Sequence, residues 1–192
     1  MPEQANGWAG AFSVPRELKL ADDGTLRMLP VEELQQLRAN HRHVDRMLLA
    51  ADTELIISNL RGDVLELIAV FKTNPSIPAG EFGLKLRCSD DGKEYTEVAF
   101  EPRERKLKVD RTFSGEGNGG TCEAYLANAA DGLVRLHLFL DRSSVELFAN
   151  GGEKTMTNRI YPKADSLGIK VFTRVCEAEL ESLEVWDLNL KR

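Results

Sequence analysis

The sequence predicts an all-β chain folded as an antiparallel, jelly-roll-like β-sandwich. Three observations carry this. Past residue 40, apolar side chains recur at every second position in short runs, the period of half-buried strands. Those runs are punctuated by Gly, Asp and Asn turn signals at high density. Helical spacing occurs in only one short stretch, after Pro30. With 192 residues the chain can bury one full core, with room for an appendage.

The first segment, residues 1–29, reads as a hairpin: strands Ala11 to Leu20 and Thr25 to Leu29 meet at Asp22-Asp23-Gly24. A two-stranded hairpin alone is marginal in water, so this one needs a surface to lie on. Residues 30–40 read as a short linker helix. Val31, Leu34 and Leu37 fall at helical spacing, Pro30 suits a first turn, and Glu32 and Glu33 complement the positive end of the helix dipole. Residues 41–192 then read as the sandwich, with strands near 43–50, 53–58, 64–72, 82–89, 94–101, 105–110, 121–127, 133–140, 144–149, 153–160, 167–174 and 178–187. Turns are expected at Arg61-Gly62-Asp63, Asp90-Asp91-Gly92, Asp131-Gly132, Asn150-Gly151-Gly152 and Ser166 to Gly168.

Leu136 to Phe148 is the clearest unit of this pattern. Leu136, Leu138 and Leu140 alternate with His137 and Phe139. A polar corner, Asp141-Arg142-Ser143-Ser144, follows, and Val145 and Leu147 then alternate with Glu146 and Phe148. The stretch Ser114 to Gly120 is rich in glycine, but it lacks the Gly-Lys-Ser/Thr ending of a phosphate loop and leads into a strand. A flexible loop is expected there.

Composition narrows the partners. The net charge is −6 and no basic block or aromatic-interleaved basic stripe is present, which argues against nucleic acid. The longest apolar runs, such as Leu67 to Phe71, fall well short of the roughly 20 residues of a membrane helix. The opening Met-Pro-Glu-Gln-Ala-Asn has neither the basic nor the apolar region of a signal peptide. Cys88, Cys122 and Cys176 are odd in number and lack a C-x-x-C spacing, as reduced thiols do. Asn74-Pro75-Ser76 is blocked by its proline as a glycosylation acceptor. A cytoplasmic protein is the resulting expectation.

Two motifs together carry a family resemblance. Gly7-Trp8-Ala9-Gly10-Ala11-Phe12-Ser13-Val14-Pro15-Arg16-Glu17-Leu18 and Asp141-Arg142-Ser143-Ser144-Val145-Glu146-Leu147-Phe148, in this order and with a linker between them, resemble glycoside hydrolase family 32. That family includes invertases, sucrose-6-phosphate hydrolases, levanases and inulinases. The resemblance covers essentially the whole chain. It implies that residues 1–29 are the terminal strands of a five-bladed β-propeller, residues 30–40 a linker, and residues 41–192 a C-terminal, concanavalin- or jelly-roll-like sandwich of two sheets with about six strands each.

The resemblance also implies that the catalytic groups lie elsewhere. Retaining enzymes of the family use an Asp in Asn-Asp-Pro-Asn-Gly, a Glu followed by Cys, and an Asp in Arg-Asp-Pro, all in the propeller, and none of these motifs occurs here. Cys176-Glu177 has the reverse order, so Glu177 takes no catalytic role. Retention needs two carboxyl groups about 5 to 5.5 Å apart. Glu17 is expected to be an ion-paired structural residue, and Asp141 and Glu146 to serve the Asp-Arg-Ser-Ser corner as turn residues. His41 and His43 form a His-x-His without a third ligand of suitable spacing, so surface histidines at a junction are expected rather than zinc. His137 alternates with leucines and is expected on a sheet face, with no Ser or Cys nucleophile to pair with it. Trp8 and Trp186 could stack on sugars, although Trp186 sits in an alternating run that favours core or edge packing. No catalytic, cofactor or metal residue is therefore assigned.

The expected function is that of a non-catalytic module packing against the catalytic propeller of its parent β-fructofuranosidase. A homodimer through the sandwich or the orphan hairpin is a further expectation. The rival is a free-standing lectin-like sandwich, which the low aromatic content of 7% disfavours. Trp8, Phe12, Val14 and Leu18 would lack a blade to pack on. The hairpin should then be disordered, fold back onto the sandwich or pair with another copy, and deleting residues 1–29 should leave the thermal midpoint nearly unchanged.

Overall fold

The computed structural model describes residues 2–72, 79–127, 129 and 131–189. The Asn74-Pro75-Ser76 triplet lies outside the described residues. A 3-10 helix, Pro2–Asn6, precedes the hairpin of β1 (Arg16–Leu20) and β2 (Leu26–Pro30). A second 3-10 helix, Glu32–Leu37, leads into β3 (Arg38–Val44), β4 (Met47–Leu49), β5 (Glu54–Arg61) and β6 (Val64–Lys72). Then follow β7 (Glu81–Cys88), β8 (Thr96–Glu101), β9 (Lys106–Asp110), β10 (Thr121–Tyr125) and β11 (Leu133–Asp141). The last four are β12 (Ser144–Ala149), β13 (Lys154–Arg159), β14 (Gly168–Arg174) and β15 (Ala178–Leu188).

One sheet has the order β10-β9-β8-β7-β14-β5 and the other β13-β12-β11-β6-β15-β3, with β4 also paired to β15. β3 and β4 pair with different stretches of β15, residues 183–188 and 178–180, so they share one edge position. Each sheet thus has six positions, and all named pairings are antiparallel.

Alternation decides what fills the space between the sheets. Leu65, Leu67, Ala69 and Phe71 of β6 and Leu136, Leu138 and Leu140 of β11 meet Phe82, Leu84 and Leu86 of β7, Val98 and Phe100 of β8, and Ile169 and Val171 of β14 in one buried core. The intervening residues face outward. On the six-stranded sheet the outer face carries a ladder of ion pairs. Glu54 meets Lys85 and Lys170, Glu81 meets Lys108 and Arg174, and Glu97 meets Arg174. Phe172 lies in the same face beneath Arg174, whose guanidinium is 4.7 Å from the ring centre.

Three expectations are corrected. The linker is a 3-10 helix of six residues, and β3 begins at Arg38, inside the segment 30–40. The strand expected at 43–50 is divided between β3 and β4. The glycine-rich loop is also pinned rather than loose: the Tyr161 amide donates to Ser114 O, Glu116 N to Tyr161 O and Arg111 N to Gly120 O. Gly115 has φ +87° and its absent Cβ would lie 2.0 Å from Tyr161 O, so only glycine allows this approach.

Arg87, 1% exposed, organises one end of the sandwich. It has φ 54° where β7 and β14 slip register, and it donates to the carbonyls of Ser166, Arg142 and Lys163. The Asp-Arg-Ser-Ser corner is thereby held from inside by a buried guanidinium.

Candidate functional site: a docking face on the outer side of one sheet

The outer face of the sheet containing β6, β11 and β12 has an unusual property: several outward side chains are nearly inaccessible. Glu66 is 1% exposed, Glu146 4%, Phe139 4% and Phe148 1%. Their strand neighbours Leu65, Leu67, Leu138, Val145 and Leu147 fill the core, so alternation directs these four outward. What covers them is the N-terminal segment, which belongs to neither sheet, and the start of the edge strand β3.

Glu146 is the anchor of the first cover. One carboxylate oxygen accepts the Val14 amide at 2.7 Å, and the other accepts Arg16 Nη2 at 2.8 Å and lies 3.4 Å from the Thr157 hydroxyl. The Arg16 guanidinium lies 5.4 Å from the centre of the Phe148 ring. Farther along, the Met28 amide donates to Gly152 O at 3.0 Å, and a Cβ at Gly152 would strike Met28 O at 2.2 Å. The hairpin is therefore tied down at both strands.

Glu66 anchors the second cover. Arg38, the first residue of β3, donates to it from Nε at 2.8 Å and Nη2 at 2.7 Å, and His137 Nε2 lies 2.6 Å from the same carboxylate. Burial pushes the Glu66 pKa up, but the hydrogen bonds from Arg38 and His137 outweigh it and hold the carboxyl below its ordinary value. Arg38 also lies 4.1 Å over the Trp186 ring, and His41 stacks on that indole at 4.9 Å and 16°.

The two motifs that carry the resemblance thus touch. Arg16 of Pro-Arg-Glu-Leu and Glu146 of Asp-Arg-Ser-Ser-Val-Glu form one salt bridge across 130 residues of sequence. Glu146 serves this clasp and is no mere turn residue, which corrects the expectation for it. Asp141 stays exposed at the corner, where its backbone carbonyl is 3.5 Å from Ser144 Oγ. Arg142 reaches Asp63 at 3.3 Å.

The other candidates fall as follows. Glu17 is exposed and pairs with Lys19 at 3.0 Å, and Glu177 is exposed. His41 and His43 share the Glu184 carboxylate, at 2.5 Å and 2.7 Å. The hydrogen bond that His43 donates to Glu184 raises the His43 pKa, while burial raises that of Glu184 less than the two imidazoles lower it. Among the described residues no group of three His, Cys, Asp or Glu could hold a metal ion. His137 lies on the sheet face as expected, bound to Glu66. Trp186 belongs to the outer face between Arg38 and His41 rather than to the core. Trp8 is 51% exposed, with Arg159 5.9 Å away. Sequence reasoning missed Arg38, Glu66 and Arg87. Glu66 was findable as the one charge inside the apolar run Val64-Leu65-Glu66-Leu67-Ile68.

Comparison with known proteins agrees with this geometry. Residues 33–187 match the model described as glycosyl hydrolases family 32 C terminal. The chain belongs to glycoside hydrolase family 32. It is similar to a levanase of Bacillus subtilis (strain 168), with 33% identity over 95% of this chain and 28% of the relative. A sucrose-6-phosphate hydrolase of Zymomonas mobilis is 32% identical over 98% of this chain and 36% of its own length. The family 32 chain therefore spans about a third of the length of these curated relatives. Among solved structures, fructan 1-exohydrolase IIa from Cichorium intybus superposes with a TM-score of 0.83 at 21% identity, over 98% of this chain and 43% of that one. Sucrose-6-phosphate hydrolase from Lactobacillus gasseri gives 0.77 at 25%, over 98% and 36%.

Proposed function

We propose that this family 32 domain is the non-catalytic sandwich module of a β-fructofuranosidase and that it packs against and stabilises the catalytic propeller of its parent chain. The observation that carries this is the Arg16–Glu146–Val14 clasp, which buries a carboxylate where the propeller-like segment meets the sandwich. Beyond the clasp, Phe12 (105% exposed), Leu18 (60%), Leu20 (76%) and Leu26 (52%) leave the hairpin with an apolar surface of the kind a neighbouring blade would cover. The parent reaction in this reading is retaining hydrolysis of sucrose, sucrose 6-phosphate or fructans, with both carboxylates supplied by the propeller. In the sandwich Glu146 is engaged by Arg16, and in the hairpin Glu17 is turned to Lys19.

The test is Glu146→Ala in the parent enzyme. Loss of β-fructosidase activity on heating should come several degrees earlier with KM unchanged, and an unchanged inactivation temperature would refute the packing role. A homodimer of the parent through the sandwich belongs to the same reading and is checked by sedimentation of the parent, whereas the free edge of β1, with Leu18 and Leu20 exposed beside it, would serve a dimer only where no blade covers it. So does a cytoplasmic setting, which the free thiols Cys88, Cys122 and Cys176 suit and which cell fractionation checks.

A further inference from the structure

The edges of the two sheets stand open at β10 and β13, and between them lies a cleft of about 670 Å³ lined by Arg111, Asn118, Cys122, Asn158, Arg159 and Tyr161, among others. Asn158 pairs with Val145 across the sheet and so faces inward, into this gap. It is 4% exposed, yet its Nδ2 has no hydrogen-bond partner. The Nε atoms of Arg111 and Arg159 are likewise buried and unpartnered. Among the described residues the Arg111 side chain donates to Arg159 O, at 3.3 Å, and meets no carboxylate. A buried polar atom left unpaired costs free energy, so three orphan donors in one cleft, with the equally unpartnered Glu3 Oε2 beside them, mark a place where hydrogen-bond partners are missing.

Charge selects what could supply those partners. Arg159 and Tyr161 already hold the Glu3 carboxylate, at 3.2 Å and 3.1 Å, and Glu116 lies on the cleft wall, so the two arginines of the cleft are matched in number by two acidic residues. A balanced site of planar amide and guanidinium groups beside the Tyr161 ring suits a neutral polyol, whose hydroxyls accept from the orphan donors while a ring face rests on the aromatic. An anion would find its strongest position taken by Glu3.

We propose that this cleft is a secondary binding subsite for a neutral fructosyl oligosaccharide. The proposal rests on the fructofuranosidase reading above, which supplies the sugar class. It places a substrate hold on the sandwich itself, under the rim formed by the pinned loop Ser114 to Gly120. The site would retain a long chain near the enzyme without taking part in bond cleavage.

The experiment is a titration of the 15N-labelled chain with 1-kestose, followed at the Asn158 side-chain amide and the Arg111 and Arg159 Nε–H signals. The expected result is saturable shifts with a dissociation constant on the order of 1 mM. Arg111→Ala, and Asn118→Ala as a variant on the exposed loop, should each weaken binding about tenfold while leaving core resonances in place. No saturable shift up to about 50 mM, or shifts untouched by both variants, would overturn the proposal. So would a response to inorganic phosphate alone, or a stronger response to maltotriose than to 1-kestose. The Glu146→Ala experiment does not depend on the cleft, so an empty cleft would leave the packing role standing.

Discussion

Replacing Glu146 by Gln isolates the clasp, because it keeps the side chain's size while removing its charge and one acceptor. In the native chain the carboxylate serves Val14 N–H at 2.7 Å and Arg16 at 2.8 Å, so the amide can satisfy only one of them. A hydrogen bond to a charged group contributes about 1.5–3 kcal/mol. The Glu146 side chain is 5% exposed but that of Arg16 is 23% exposed, and solvent screening moves the estimate to the low end, about 1.5–2 kcal/mol. At 1.4 kcal/mol per tenfold, the open state of segment 14–20 becomes about 10 to 30 times more populated. Amide hydrogen exchange reads this directly, since Val14 N–H exchanges when the clasp opens. Its exchange should accelerate by that factor, while Leu67 and Leu138, buried on the opposite face of the same sheet, keep their rates. Equal rates at Val14 in both proteins would refute the clasp. Equal acceleration at all three sites would mean that Glu146 supports the whole fold instead.

Deleting residues 1–29 should now lower the thermal midpoint, contrary to the expectation from sequence. It uncovers Phe148 and orphans Glu146, for a loss of about 2–3 kcal/mol and about 5–10 °C by calorimetry. Glu66 has a depressed pKa, so its ion pair contributes stability above about pH 4.5 that is lost as pH falls through the folded value. Glu66→Gln should flatten the acid limb of a pH–stability curve measured by urea unfolding. His43 has a raised pKa, so its contribution is present below about pH 6.5 and disappears as pH rises through the folded value. His43→Gln should remove that dependence. Gly83→Ala should destabilise by about 1–3 kcal/mol in the same assay, because the new Cβ would lie 1.9 Å from Val98 O.

Hydrophobic alternation made most of the sandwich legible. β6 and β12 lie at the expected residues 64–72 and 144–149, since each buries one face in the core. β3 was hidden for a physical reason: Arg38-Ala-Asn-His-Arg-His-Val is a polar edge strand. Asn40 and Arg42 meet Asp187, and His43 meets Glu184, so its register rests on charge pairs rather than an apolar stripe. The linker's three apolar residues fit a helix, but six residues before an edge strand leave room only for 3-10 turns. For the site, sequence identified both motifs but not their contact. Arg16 and Glu146 are 130 residues apart, and only the docking of the hairpin on β12 brings them together. Asn158 and Arg111 showed no signal at all, because an unpaired donor is a property of surroundings and not of residue type.

The central claim is that this family 32 domain works as one part of a larger β-fructosidase. The most direct test is an immunoblot of source-cell lysate with an antibody raised against this chain, with fructose release from sucrose assayed on the recovered species. A band well above twice 21.4 kDa that co-purifies with fructose release is the predicted result. A band at 21.4 kDa, without fructose release, would contradict it and bring the free-standing sugar-binding sandwich to the front.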